Sequence, residues 1–164
     1  MASQLIDQHR EKAEIYHGDT LCKQKSIELL SEMELPKGLL PLSDMEEVGY
    51  NRETGFVWLK QKKSTEHIFR KISRKVSYGS EITAFVEPRK FKKLSGVKSK
   101  ELLIWITLSD IYIDNPSSGK ITFMTPAGLS RTFPVSAFDL EEDEGAAKEA
   151  EKEKKKKEEE AAMV

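Results

Sequence analysis

Hydrophobic residues change their spacing near Tyr50, and this change predicts two kinds of secondary structure in the chain. Before Tyr50 the apolar positions recur every three or four residues, which is typical of amphipathic helices. A first helix is predicted to run up to Gly18. A second begins at Asp19 as its N-cap and ends before Pro36, because the residue preceding a proline disfavours helical backbone angles. Both apolar stripes are modest, so these helices are expected to lie on a larger structure.

After Tyr50 the pattern is typical of short strands. The predicted strands are residues 55–60, 66–72, 76–87, 102–113, 121–125 and 129–133. Residues 76–87 alternate between apolar and polar, which indicates one buried face, whereas 102–113 is apolar on both faces and is expected to be covered on both sides. Six or seven strands joined by short turns predict an antiparallel β-barrel or closed sandwich with the two N-terminal helices packed on it.

The segment LPKGLLP, residues 35–41, separates the helical part from the strand-rich part. Gly38 is expected at positive φ to reverse the chain, and the surrounding leucines are expected to hold the helices against the barrel. The chain is therefore divided into N-terminal helices at 1–34, a β-barrel domain at 35–140 and a charged tail at 141–164 that is expected to be disordered.

Composition narrows the class of protein. The single cysteine, Cys22, excludes an intramolecular disulfide and favours a reducing compartment. No apolar run approaches the roughly 20 residues of a membrane span. The N-terminal residues lack the apolar centre of a signal peptide, so a cytoplasmic location is expected.

Charge is unevenly distributed along the chain. The tail 141–164 carries ten acidic and six basic residues, whereas residues 60–100 carry thirteen Lys or Arg and three acids. If consecutive strands are antiparallel neighbours, the turns at 61–65 and 88–98 lie at the same end of the barrel. The basic residues of these turns are then predicted to form one cationic rim that faces an anion: Lys60, Lys62, Lys63, Arg89, Lys90, Lys92, Lys93 and Lys98. The alternative is that these lysines serve solubility and protect strand edges.

Candidate catalytic groups are sparse. His9, His17 and His67 lack acidic or cysteine partners at ligand spacing, and Cys22 lacks an obvious base. No nucleophile elbow, phosphate-binding loop or dinucleotide fingerprint occurs, so no catalytic residue, metal or cofactor is predicted. Trp58, Tyr78 and Trp105 are the aromatic candidates for lining an interior, although aromatic side chains on strands usually fill a core.

Several motifs occur together in a recognisable order: LPKGLLP, GYNRETGFVWLK, LSGVKSKELLIW, SGKITF and RTFPVSAF. In this order they resemble the plant family known as domain of unknown function 538, over roughly residues 35–138. The resemblance implies a closed, mostly antiparallel β structure with N-terminal helices and a lipid-binding-like architecture. It also implies pigment- or stress-related roles, and it brings no catalytic residue.

Three functions are compatible with these features. The leading hypothesis is a non-catalytic β-barrel module that binds a small amphipathic ligand or an anionic lipid surface. The alternatives are a protein-interaction module that uses its surface and charged tail, and an ester hydrolase of unrecognised type, which only the family resemblance raises. Nucleic acid is disfavoured as a partner because no stacking aromatic pattern accompanies the basic residues and the acidic tail would compete.

Overall fold

A computed structural model describes residues 2–140, and the tail predicted at 141–164 lies outside the described residues. The two helices are α1 (Ala2–Arg10) and α2 (Asp19–Glu32). The strands, in chain order, are β1 (Glu14–His17), β2 (Met45–Asn51), β3 (Phe56–Gln61), β4 (Thr65–Phe69), β5 (Arg74–Glu87), β6 (Lys90–Glu101), β7 (Ile104–Thr107), β8 (Asp110–Tyr112), β9 (Lys120–Met124) and β10 (Ser130–Pro134). The fold is mostly β, as the spacing predicts.

All ten strands belong to one antiparallel sheet that stays open. The order along the sheet is β1-β2-β3-β5-β6-β8-β9-β10, with β4 paired to β5 and β7 paired to β6. The prediction of a closed barrel or sandwich is therefore wrong, because β1 and β10 are the two ends of the sheet and do not pair with each other.

The long β5–β6 hairpin organises the sheet. On the outer edge of β5, β3 pairs with its second half (Phe56 opposite Phe85) and β4 pairs with its first half (Phe69 opposite Arg74). Since β3 and β4 are both antiparallel to β5, they run in the same direction, one after the other. Residues 62–64 therefore connect two successive strands on one edge and do not form a turn at an end of the sheet. On the edge of β6, β7 and β8 are arranged in the same way.

The two helices cover opposite faces of the sheet. Leu30 of α2 is buried in the main core with Leu59, whereas Ile6 of α1 is buried with Phe56 and Trp58. Consecutive residues of a strand point to opposite faces, so Trp58 and Leu59 identify the two sides. The first helix is shorter than predicted, because it ends at Arg10 and residues 14–17 form β1 at the edge of the sheet.

The main core ends in a cluster of phenylalanines. The ring of Phe138 lies 4.6 Å from that of Phe69 and 5.2 Å from that of Phe123, measured between centroids. Leu39 of the junction is buried in the same core, and its carbonyl accepts a 2.8 Å hydrogen bond from the Tyr78 hydroxyl. The leucines of the junction therefore pack with α2 against one face of the sheet, as the sequence predicts.

Gly38 is needed for a different reason from the one predicted. Its φ lies outside the left-handed region, but a Cβ at this position would lie 2.5 Å from the carbonyl oxygens of both Phe138 and Asp139. The Gly38 N–H also donates a 2.9 Å hydrogen bond to the Phe138 carbonyl. The glycine allows the junction to approach the end of the described chain closely.

We expect Gly38→Ala to lower the free energy of unfolding by about 2 kcal/mol, because two backbone segments must separate to admit the methyl group. Equilibrium urea unfolding measures this loss. Gly128→Ala is the control, since a Cβ there meets no atom within 4 Å and only its positive φ of 85° is strained. An equal or larger loss in the control would contradict the packing explanation.

Candidate functional site

The most exposed apolar side chains lie at the turn between β6 and β7. Leu102 is 91% exposed, Leu103 90% and Ile104 67%. We call these three residues the apolar tip. Glu101 pairs with Ile104 across the hairpin, so Leu102 and Leu103 form a two-residue turn that extends past the start of β5. Large apolar residues at a solvent-exposed turn gain nothing from burial within this fold, which makes the apolar tip a candidate contact surface.

The backbone of the turn is also unfavourable for leucine. Leu102 has a φ of 56°, in the left-handed region that glycine, asparagine and aspartate usually occupy in two-residue hairpins. A leucine there costs about 1 kcal/mol of backbone strain. The turn therefore carries an exposed apolar side chain where both solvation and backbone geometry favour a glycine, which supports a role in binding.

Basic residues surround the apolar tip. Lys98 and Lys100 lie on β6, Arg74 begins β5, and Arg131 lies on β10. We call these four residues the basic collar. The Arg74 guanidinium donates a 3.2 Å hydrogen bond to the Lys100 carbonyl, and Arg131 Nε donates a 2.7 Å hydrogen bond to Glu101. These contacts hold the two guanidinium groups close to the base of the apolar tip.

The predicted cationic rim is divided among three places. Lys60 lies opposite Glu81 of β5, with Lys62 and Lys63 just beyond it, whereas Lys90 lies opposite Glu87, six residues further along the same strand. Six residues of strand span about 20 Å, so the two groups do not share one rim. The prediction assumed that 61–65 is a terminal turn, and it is wrong because β3 and β4 follow one another along one edge.

The remaining rim residues lie along β6. Lys90, Lys92 and Lys93 lie near the β5–β6 turn with Arg89, and Lys98 lies at the opposite end, in the basic collar. Several of the predicted rim cations contact carboxylates: Lys60 with Glu47 at 3.9 Å, Arg89 with Glu34 at 3.2 Å and Lys92 with Glu87 at 3.2 Å. Their charge is partly compensated within the fold, and of the predicted set only Lys98 accompanies the apolar tip.

The three predicted interior aromatics have different environments. Tyr78 is buried in the main core, and Trp58 is buried on the opposite face, beneath α1. Trp105 is partly exposed on β7, and the Lys100 ammonium lies 5.7 Å from its ring centroid. The interior assignment of Trp105 is therefore wrong. Its position, one residue after the apolar tip, makes it part of the candidate surface.

A second polar cluster lies under α1 and is structural. The buried Glu47 carboxylate accepts hydrogen bonds from Arg10 at 2.9 Å, Trp58 Nε1 at 2.8 Å and His17 Nε2 at 2.9 Å. Burial alone would raise the pKa of Glu47, but the hydrogen bonds from Arg10, Trp58 and His17 outweigh it and lower the pKa to about 2. A carboxylate that is fully ionised and saturated with donors is suited to holding α1 in place rather than to proton transfer.

The other candidate nucleophiles and bases show no catalytic arrangement. The Cys22 thiol is buried and hydrogen bonded to the Tyr16 carbonyl, and burial raises its pKa. His9 Nδ1 contacts the Leu5 carbonyl at 2.7 Å. Within residues 2–140, no group of three or more His, Cys, Asp or Glu side chains is placed to hold a metal ion.

Sequence reasoning missed the apolar tip, although a signal for it was present. The string KSKELLIW places lysines and a glutamate directly before two leucines, and charged residues flanking an apolar pair are typical of an exposed turn. The run of apolar residues after Glu101 instead predicted one continuous buried strand. In the structure this run is divided into the apolar tip, β7 and β8.

Within the described residues, no helix is long and apolar enough to cross a bilayer.

Comparisons with known proteins give the family of this chain. No curated protein and no solved structure matched the chain. One family model, described as "Protein of unknown function, DUF538", matches residues 26–139, which is more than half of the chain and includes the apolar tip and the basic collar. The chain belongs to this family.

Proposed function

We propose that this protein is a non-catalytic module that binds anionic lipid surfaces through the apolar tip and the basic collar. The observation that carries the proposal is the near-complete exposure of Leu102 and Leu103 at the end of a hairpin. In a bilayer interface these two side chains leave water, and each fully buried leucine contributes about 2 kcal/mol.

The charges around the apolar tip support an anionic surface rather than a neutral one. The basic collar contributes four cations, and one of them, Arg131, is paired with the Glu101 carboxylate. Near an anionic leaflet each Lys or Arg contributes about 1 kcal/mol, and the contribution falls with added salt. Trp105 beside the apolar tip fits the same setting, because indole rings favour the membrane–water interface.

The alternative functions are less well supported by the contacts described. A protein-interaction module would use the same exposed leucines against a partner's apolar surface. Vesicle co-sedimentation distinguishes lipid binding from protein interaction. An ester hydrolase requires a nucleophile next to a base, and the described contacts of Cys22, His9 and His17 do not provide that arrangement.

The double variant Leu102→Gly/Leu103→Ser tests the proposal. We expect it to weaken binding to phosphatidylserine-containing vesicles at least about tenfold, because both side chains that enter the interface are removed. Glycine accepts the positive φ at position 102, so the melting temperature is expected to stay unchanged or rise. Vesicle co-sedimentation measures the binding, and the blue shift of Trp105 fluorescence on vesicle addition reports contact of the β6–β7 hairpin with lipid.

Leu21→Ser is the matched control, since Leu21 is an exposed leucine on α2, outside the apolar tip. It should bind vesicles like the wild type. If the wild-type protein fails to bind anionic vesicles even at low salt, the lipid proposal is overturned. Equal binding to neutral and anionic vesicles would overturn the role of the basic collar.

A further inference from the structure

A small cavity lies beside the apolar tip, between the β6–β7 hairpin and the turn that joins β9 to β10. Its volume is about 40 Å³, which is more than one water molecule needs and far less than an acyl chain needs. Ile106, Leu129 and Phe133 form apolar parts of its wall. The polar groups that line it are Arg74, Ser99, Glu101, Thr125, Ser130 and Arg131. The exposed lining is mostly apolar, but the volume is too small for an extended apolar ligand. Two of the lining residues, Arg74 and Arg131, carry the guanidinium donors that a compact oxyanion requires.

The two arginines are arranged to receive such an anion. The Arg74 guanidinium carbon lies 5.1 Å from the centroid of the Phe133 ring, and the hydrogen bond to the Lys100 carbonyl also fixes its position. Arg131 donates to Glu101 at 2.7 Å. A guanidinium presents paired N–H donors that match phosphate oxygens, and an apolar ring beneath it excludes water from one side.

Hydroxyl groups add neutral donors to the same wall. The Thr125 hydroxyl oxygen accepts a hydrogen bond from the Leu129 N–H, which leaves its own hydrogen available for another acceptor. Ser99 and Ser130 are two further hydroxyl-bearing residues among those that line the cavity. Arginines together with hydroxyls provide donors in several directions, which suits a tetrahedral phosphate better than a planar carboxylate.

The Glu101 carboxylate competes with an incoming anion for binding to Arg131. Its carboxylate binds Arg131, and it precedes Leu102 directly at the base of the apolar tip. An incoming phosphate would replace this carboxylate as the partner of Arg131. The Arg131 side chain is 56% exposed and that of Glu101 is 28% exposed, so solvent partly screens their ion pair and the exchange costs less than it would for a fully buried pair.

We infer that this cavity binds the phosphate group of an anionic phospholipid, with Arg131 exchanging Glu101 for the headgroup and Arg74 providing the second guanidinium. The inference rests on the proposed function, because the apolar tip would bring the cavity to the level of the headgroups. It assigns the basic collar two roles. Arg74 and Arg131 bind the phosphate directly, whereas Lys98 does not line the cavity and acts through its charge alone.

Charge-matched variants test this division. Arg131→Gln and Lys98→Gln remove the same charge from the same end of the sheet, and both are compared on phosphatidylcholine vesicles that contain phosphatidic acid. We expect Lys98→Gln to weaken binding about fivefold. Arg131→Gln is expected to weaken it between about 10- and 100-fold, because direct hydrogen bonds to the phosphate are also lost. Glu101→Gln is expected to tighten binding several-fold, since the competing carboxylate is removed.

An experiment with a soluble lipid measures binding at the cavity separately from binding to a membrane. Short-chain dihexanoyl phosphatidic acid, below the concentration at which it forms micelles, should shift the amide resonances of Ser99, Leu129 and Arg131, and inorganic phosphate should shift them less at the same concentration. Leu102→Gly/Leu103→Ser should keep these shifts while losing vesicle binding. Thermal unfolding checks that each variant is folded.

Two results would overturn the headgroup site. The first is an equal loss of vesicle binding in Arg131→Gln and Lys98→Gln. It would mean that Arg131 acts only through its charge and does not bind the phosphate directly, and it would leave the proposed function unaffected. The second is an inorganic phosphate response as strong as that of the lipid, which would assign the cavity to free phosphate. If the wild-type protein fails to bind vesicles, the proposed function is overturned, whatever the result with the short-chain lipid.

Discussion

Glu47→Gln is expected to lower the free energy of unfolding by about 3 kcal/mol at neutral pH, because the buried charge that holds Arg10, His17 and Trp58 together is lost. The side chain of Glu47 is only 10% exposed, so solvent screens these contacts little. Urea unfolding of the two proteins at pH 7 measures the difference. Glu46→Gln is the matched control, since Glu46 is the preceding residue of β2 and is exposed.

The same contacts predict a pH dependence with a defined sign. The folded protein lowers the pKa of Glu47 from 4.5 to about 2, so the ionised carboxylate is favoured in the folded state. The stabilisation is therefore fully present above about pH 5 and is lost as the pH falls toward 2. A shift of this size corresponds to about 3 kcal/mol.

Wild-type stability should accordingly fall more steeply than that of Glu47→Gln between pH 5 and pH 2, and the two should converge in acid. Parallel curves for the two proteins over this range would contradict the account. A loss in Glu46→Gln as large as that in Glu47→Gln would show that the charge of β2, rather than the buried cluster, is responsible.

Gly49→Ala is expected to be more damaging still, with a loss of about 4 kcal/mol or more in the free energy of unfolding. Gly49 lies opposite Trp58 in the β2–β3 pair, and a Cβ at position 49 would overlap the indole ring. The ring is fully buried and packs against Ile6 of α1, so moving it would disturb the packing of that helix. The methyl group would displace either the ring or the helix.

A double-mutant cycle separates this steric effect from a general weakening of β2. Trp58→Leu removes the ring, and it should cost stability alone because it leaves a cavity and takes a hydrogen-bond donor from Glu47. In the Trp58→Leu background, however, Gly49→Ala should cost far less than in the wild type. Chemical unfolding of the four proteins gives the coupling energy. Additive losses would contradict the proposed overlap.

The sequence predicts the elements whose two faces differ clearly. In β5 the buried apolar residues are Val76, Tyr78, Ile82, Ala84 and Val86, and all the residues between them except Thr83 are more exposed. The predicted strand matches the observed strand to within two residues. The β9–β10 hairpin was predicted from two short apolar segments on either side of the turn residues at 126–128. Local alternation is sufficient where a strand has one buried face and few irregularities.

Strands β2 and β6 were missed because their buried residues do not follow that pattern. In β2 the buried set includes Glu47, an acid whose burial depends on partners distant in the sequence. In β6 the lysines dominate the composition, and irregular pairing with β5 interrupts the alternation of buried residues near Gly96, whose φ is 92°. Residues 88–98 were therefore interpreted as a turn, and this interpretation adds to the error in the cationic rim, which also assumed that 61–65 is a terminal turn.

The candidate surface was missed for a related reason. Hydrophobicity alone does not distinguish a strand buried on both faces from a strand end exposed to solvent, and Leu102 and Leu103 were assigned to the first class. The distinction depends on where β6 ends relative to β5, which is a property of strand pairing. Closure of the sheet was predicted wrongly on similar grounds, since collinear strands such as β3 and β4 cannot be recognised from spacing.

The position of α1 affects where the folding unit begins. The family match starts at residue 26, within α2, whereas α1 and β1 precede it. Ile6 covers Phe56 and Trp58, and Arg10 and His17 provide two of the donors to Glu47. A recombinant fragment cut at the family boundary would expose two large aromatic rings and leave a buried carboxylate without two of its partners. We therefore expect the unit that folds on its own to be longer than the region by which the family is recognised.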